Sequence, residues 1–300
     1  MTRPIFISQL THKVAATPEK KTPRDRYVQY VNDLYKIYPG KASPESFIEG
    51  DQLTYAELGE LILEAPEIAK TIKDLDNIIV AHWSQEFDPD YASCGPYFLH
   101  KYDLKSDIFD VCDQGTLAPF MAAKILFHYQ KNNVSDMGMI LCLEQTTIPR
   151  DKSAGDVIPL YSGASAILLT SDSKFAQWLI KNIEFICEEK ALEKLTDIAS
   201  LITSILKTAG ISINETSIVA RKNTCYWKAL KHQMLSTQTT LREQDDFQFI
   251  SPNPGCLSAF KKIEQITNQP TDRKFLLVID EDVESMNMAY MLLEKCNDTV

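Results

Sequence analysis

Ser106–Leu126, SDIFDVCDQGTLAPFMAAKIL, constrains this chain more than any other stretch. An apolar run through Ile108, Phe109, Val111 and Cys112 reads as a buried strand, and Asp113-Gln114-Gly115 ends it in a tight turn. Leu117, Phe120, Met121, Lys124 and Ile125 then recur at spacings of three and four, the mark of a helix entered over small residues. Strand, glycine turn and helix in that order belong to α/β folds, and the free N–H groups at the helix start favour an anion or a thiolate. Cys112 lies beside that start. A cysteine so placed is either a nucleophile or, more commonly, a small buried hydrophobe.

Three hundred residues with 44% apolar composition can bury one large core or two fused halves. Ile78–Trp83 and Met137–Leu143 are far shorter than the roughly 20 apolar residues that span a bilayer, so no transmembrane helix is expected. MTRPIFISQL is too short and polar for a secretory leader, and seven cysteines, odd in number and mostly inside apolar runs, suit a reducing compartment; both point to a cytoplasmic protein. No CxxC or His-Cys cluster suggests a metal. A net charge of −10 disfavours nonspecific nucleic-acid binding. Arg221, Lys222, Lys228 and Lys231 could still form a local basic patch facing a phosphate, or a solvated helix face.

The order of elements repeats. Tyr55–Ile72 carries an apolar stripe, Leu58, Leu61, Ile62, Ala65, Ile68, Ala69 and Ile72, and leads into a strand over Asn77–Trp83. Leu192–Thr208 is a second amphipathic helix, stopped by Gly210 and followed by a strand over Ser217–Arg221. The two strands share a pattern, Ile79-Val80-Ala81-His82 against Ile218-Val219-Ala220-Arg221. Each half then holds a hairpin-like strand pair, Met137–Leu143 with Gly163–Thr170 and Phe275–Asp280 with Met286–Leu293. The halves divide at 1–172 and 173–300.

Taken together, the helix and strand at Tyr55–Trp83, DIFDVCDQGTLAPFMAAKIL, MGMILCLEQ, SGASAILLTSD and KFLLVIDEDVESMNMAYMLLE resemble the thiolase-fold condensing enzymes, in particular ketoacyl-ACP synthase III. The resemblance implies an α/β, five-layered αβαβα fold made of two related halves, and a dimer. It also implies a Cys-His-Asn triad: the cysteine takes the acyl group from coenzyme A or a carrier protein, and His and Asn stabilise the oxyanion or enolate. Matched on Gly115, the nucleophile position falls on Asp113, with Cys112 one place earlier. The histidine position falls on Arg221, whose guanidinium stays protonated and cannot act as a base. With Gly255 as the matching glycine, the asparagine position falls on Cys256. Asn223, Asn253 and His82 are assigned to the surrounding pocket. If Asp113 and Arg221 occupy the old nucleophile and base positions, they form a bidentate pair that plugs the pocket.

Three readings follow from the resemblance. The first is a non-catalytic partner of an active ketosynthase in fatty-acid-derived or polyketide secondary metabolism. In the second, an acyltransferase keeps Cys112 as nucleophile, with a base drawn from His82, His100 or His232. The third is a module that binds an acyl-carrier protein through Arg221, Lys222, Lys228 and Lys231. None requires a tightly bound cofactor, and a coenzyme A or phosphopantetheine thioester would be the substrate.

Overall fold

The computed structural model describes residues 3–15, 25–37, 50–84, 93–112, 114–147, 159–186, 198–222, 224–225, 227–228, 247–251, 255–269, 272–282, 285 and 287–296. Among these residues are ten strands, β1 (Phe6–Val14), β2 (Asn77–His82), β3 (Asp107–Val111), β4 (Met137–Glu144), β5 (Gly163–Thr170), β6 (Trp178–Ile186), β7 (Thr216–Arg221), β8 (Phe247–Ile250), β9 (Phe275–Glu281) and β10 (Met288–Lys295). They form one mixed sheet in the order β3-β2-β4-β5-β1-β6-β10-β9-β7-β8. Read outward from the β1–β6 junction, the two arms are the same. In each, two antiparallel pairings lead to two parallel ones, β1-β5-β4-β2-β3 and β6-β10-β9-β7-β8. Both expected hairpin-like pairs are present, β4 with β5 and β9 with β10, each antiparallel.

The helices are α1 (Asp25–Ile37), α2 (Tyr55–Leu63), α3 (Pro66–Ala69), α4 (Cys94–Lys101), α5 (Ala118–Lys131), α6 (Ile198–Thr208) and α7 (Ser258–Thr267). Helices α5 and α7 lie between the two arms, and the Phe120 and Phe260 rings pack at a tilt with 5.6 Å between their centroids. Apolar groups of α2, α3 and α4 cover Ile78, Val80, Met139 and Leu141 on the outer face of the first arm. Ile202 and Leu206 of α6, with Trp227, cover Ile218, Leu277 and Leu292 on the second. The result is an α/β architecture of five layers, αβαβα. Continuous apolar runs in β2, β4, β5, β7 and β9 follow from this, because both faces of those strands are buried.

Three expectations need correction. The helix over Tyr55–Ile72 is broken: Thr54 and Glu57 form a capping box at its start, but Pro66 lacks an N–H and a separate turn begins there, followed by a 3₁₀ segment at Ile72–Asp74. The strand over Ile108–Cys112 is only partly buried: among the described residues it lies at the sheet edge, paired on one side with β2, with Val111 buried and Asp107 and Asp110 exposed. The repeat between β2 and β7 is shifted by one residue. Ile79 and Ala81 face the central layer, as do Val219 and Arg221, whereas Ile78 and Ile218 face outward. Ala81 pairs with Cys142, and one step past the last β7–β9 pair Arg221 meets Asp280. Arg221 therefore corresponds to Ala81, not His82. A one-residue slip exchanges the two faces of a strand, so only the shifted alignment keeps core with core. Of the second predicted helix, Leu192–Thr208, residues 192–197 lie outside the described residues, and Gly210 ends the rest with φ +70°.

β1 carries one titratable core-facing group. His12 Nδ1 lies 2.7 Å from Ser165 Oγ, and burial, followed by the nearby Lys261 charge, lowers its pKa to about 4. Glu264 of α7, its own carboxyl raised by burial, meets the His12 backbone. The unfolded imidazole titrates near 6.5, so the unfolded chain binds the extra proton. His12 therefore leaves stability intact above about pH 6.5 and subtracts from it as pH falls toward 4, by on the order of 1–2 kcal/mol given its partial exposure. We expect His12→Gln to flatten the decline in urea midpoint between neutral and mildly acidic pH; an equally steep decline in both proteins would remove His12 as the cause.

Candidate functional site

The carboxyl ends of the parallel strands and the N-termini of α5 and α7 meet at the junction of the two arms, where α/β folds place ligand chemistry. In this chain that region is occupied by its own charged groups. The Arg221 side chain is 1% exposed and that of Asp280 is fully buried. Nε donates to Asp280 Oδ1 at 2.6 Å and Nη2 to Oδ2 at 2.9 Å, a bidentate pair. Nη1 also donates to the Ser251 carbonyl at 3.1 Å, and Nη2 to that of Gly255 at 3.4 Å. Burial works against the guanidinium charge, but Asp280 outweighs it and the pKa is raised.

Two further carboxylates cross between the arms. Glu144, at the end of β4, is fully buried, and its Oε2 accepts from the Leu257 N–H at 3.0 Å, just ahead of α7. Asp282, just past β9, accepts from the Thr116 N–H at 3.0 Å, in the 3₁₀ turn that leads into α5. The match extends to the next atoms, since Cys256 Sγ donates to the Leu143 carbonyl at 3.5 Å and Thr116 Oγ1 to the Glu281 carbonyl at 3.2 Å. Gly115 and Gly255 are the corresponding glycines, and a Cβ on either would overlap the carboxylate in front of it. Each arm thus places an acid against the N-terminus of the other arm's central helix, where N–H groups are otherwise unpaired.

The sequence-derived residues fall as follows. Asp113, Asn223, Asn253, Lys231 and His232 lie outside the described residues, and among the described residues the carboxylate paired with Arg221 is that of Asp280. Cys256 is fully buried; burial first, then Glu144 and Cys142, push its thiol well up, so it is a neutral packed group. Cys112 is half-buried at the end of β3. His82 lies at the end of β2, 4% exposed. His100 is exposed near the end of α4. Arg221 does not join Lys222 and Lys228 on the surface: those two are exposed, Lys222 over the Phe249 ring at 4.5 Å, while Arg221 points inward. Glu144, Asp280 and Asp282 were not singled out from the sequence. Their signal is an acid that directly follows a continuous apolar run, LCLE and LLVIDED. Among the described residues no group of three His, Cys, Asp or Glu is arranged to hold a metal ion, and no helix is long and apolar enough to cross a membrane.

A sheet repeated in two arms around a shared pair of buried helices is the thiolase-like fold. Solved condensing-type enzymes have the same architecture. ChlB3, described as an acyltransferase, superposes with a TM-score of 0.67 at 12% identity, over 98% of each chain. OleA of Xanthomonas campestris, in a structure with cerulenin, gives 0.64 at 12% identity, over 98% of this chain and 97% of that one. AbyA1, a tetronic acid condensing enzyme, gives 0.64 at 10% identity, over 97% and 99%. At such identities the likeness is one of fold. No family profile and no curated protein matches the chain by sequence.

Proposed function

We propose that this chain performs no condensation in its central chamber and acts as the partner subunit of a competent ketoacyl-ACP synthase III-like enzyme in fatty-acid-derived or polyketide secondary metabolism. One observation carries the reading: the buried Arg221–Asp280 pair occupies the junction where a substrate would need space. The acids at Leu257 and Thr116 support it, because they take up the helix N-terminal N–H groups that an oxyanion would otherwise use. On this reading a guanidinium stands at the position of the catalytic histidine and holds its proton through any cycle.

Strand β3 supplies a route to pairing. It is a sheet edge with one side unpaired among the described residues, and such edges accept a further strand unless they are covered. A dimer, with a copy of this chain or with the competent subunit, would cover it. Lys222 and Lys228 are the exposed cations that an acidic carrier protein would meet.

The test is turnover. The purified chain should release no coenzyme A from acyl- and malonyl-thioesters, yet alter the rate or product length of a competent synthase mixed with it. Condensation by the chain alone would overturn the reading.

A further inference from the structure

β1 outruns one of its two neighbours. It pairs with β5 along its length, from Phe6 with Thr170 to Val14 with Gly163, but with β6 only at Phe6 and Ile7, where the Gln177 N–H donates to the Ile7 carbonyl at 2.9 Å. A register shift between Ile7 and Gln9 marks the place where β1 and β6 part. The Ala15 N–H donates to the Ser162 carbonyl at 3.1 Å, so the antiparallel ladder turns the backbone groups of Thr11 and Lys13 toward β5 and those of Leu10, His12 and Val14 toward the opposite edge. Among the described residues no strand pairs with that edge beyond Ile7.

The edge opens into a cleft of about 730 Å³. Ser8–Lys13 form one wall, and Leu168 of β5 and Phe175, 70% exposed in the turn before β6, supply apolar surface. Its charges are unbalanced. Glu67, Asp172 and Glu264 line it with Lys13, and Lys13 lies 4.0 Å from Glu67, so among the described residues Asp172 and Glu264 have no ion pair. Glu264 takes the His12 backbone N–H, which leaves the N–H groups of Leu10 and Val14 to the cleft. Burial raises the Glu264 carboxyl despite that bond and the Lys13 and Lys261 charges, a cost that a cation in the cleft would relieve. The second arm supplies a contrast. Against β6, the counterpart of β1, a cleft of about 560 Å³ carries Lys181 and Glu184, and both are committed, Lys181 to Glu294 at 3.1 Å and Glu184 to Lys124 at 3.0 Å.

We propose that the open edge of β1 is a docking site for an extended segment of a partner protein that carries lysine or arginine and adds to the sheet as a strand. Backbone groups turned outward at every second residue are the complement of an extended chain, and Leu10 to Val14 would pair with about five residues of it, roughly 17 Å. The two uncompensated carboxylates select a basic side chain beside that ladder. The same charges disfavour a second copy of this chain as the occupant, because pairing β1 with β1 would bring acid against acid.

The probe is a blocked heptapeptide alternating lysine with valine, and the readout is amide hydrogen exchange of the native protein, followed residue by residue by NMR. Without peptide, Leu10 and Val14 should exchange at least about tenfold faster than Thr11 and Lys13, which belong to the β5 ladder. Saturating peptide should slow Leu10 and Val14 about tenfold. A peptide with glutamate in place of lysine, or with proline at its centre, should bind about tenfold more weakly. Glu67→Gln combined with Asp172→Asn, both exposed, should abolish the preference for lysine over glutamate and leave Thr11 and Lys13 protected. Lysine and glutamate peptides that bind alike, or binding that leaves Leu10 and Val14 fast, would overturn the proposal. Protection of both amides without peptide would overturn it as well, and its growth with protein concentration would identify a second copy as the occupant. If no peptide binds, the acids only guard the edge and the proposal fails. None of these readouts involves condensation, so the outcome is separate from the reading of the central junction.

Discussion

Arg221→Ala is expected to cost about 3–5 kcal/mol of folding stability, read as a lower urea midpoint at unchanged slope. The substitution leaves the Asp280 carboxylate fully buried, with the Glu281 N–H at 2.8 Å as its remaining partner in the geometry described, and a buried unpaired charge is among the most destabilising features a mutation can create. Asp280→Ala should cost a similar amount for the opposite reason, stranding a guanidinium that cannot shed its proton. The double replacement Arg221→Met with Asp280→Leu removes both charges at nearly constant volume and should fall within about 1 kcal/mol of the native protein. The repeat itself supports that last figure. At the equivalent step of the first arm the same architecture holds Ala81 beside Cys142, so the fold does not require a charge pair there. If the double replacement cost as much as the two single ones added together, the pair would not act as a unit and the plugged junction would lose its energetic basis.

The same step shows what the sequence could and could not disclose. Strands buried on both faces announce themselves as continuous apolar runs, which is why β2, β4, β5, β7 and β9 were legible, and the glycine turn before α5 marked the correct strand–helix crossing. β3 misled because Ile108, Phe109 and Val111 give an edge strand the same composition as a central one; edge position depends on sheet order, which no local pattern encodes. The echo between β2 and β7 was matched by residue type, placing Arg221 on His82, whereas the sheet matches residues by face, placing Arg221 on Ala81. Faces alternate every residue, so identity over four positions cannot fix the register. Asp280 was hidden for a related reason. It directly follows Phe275–Ile279 and looks like the polar end of a buried strand, and only the pairing of β7 with β9 brings it to Arg221.

Gly115→Ala should be the more damaging of two corresponding glycine substitutions, and the difference measures backbone strain apart from crowding. Both glycines face a carboxylate from the opposite arm, Asp282 for Gly115 and Glu144 for Gly255, and in both a Cβ would overlap it. Crowding of this kind costs about 1–3 kcal/mol at each site. Gly115 alone also has a positive φ, +51°, which adds about 1–2 kcal/mol for an L side chain. Gly255→Ala therefore isolates the clash. Glu144→Ala alone should cost about 1–3 kcal/mol, since it removes the acceptor for the Leu257 N–H at the entrance to α7. Combined with Gly255→Ala it also removes the group being struck, so the double variant should be less destabilised than the sum of the singles. The corresponding cycle of Gly115→Ala with Asp282→Ala should recover the clash but keep the cost of the backbone, leaving the larger residue. Equal recovery in both cycles would mean that the loop before α5 relaxes its φ on substitution; additive costs in both would mean that the carboxylates do not bear on the glycines, and the reciprocal bracing of the two central helices would fail with them.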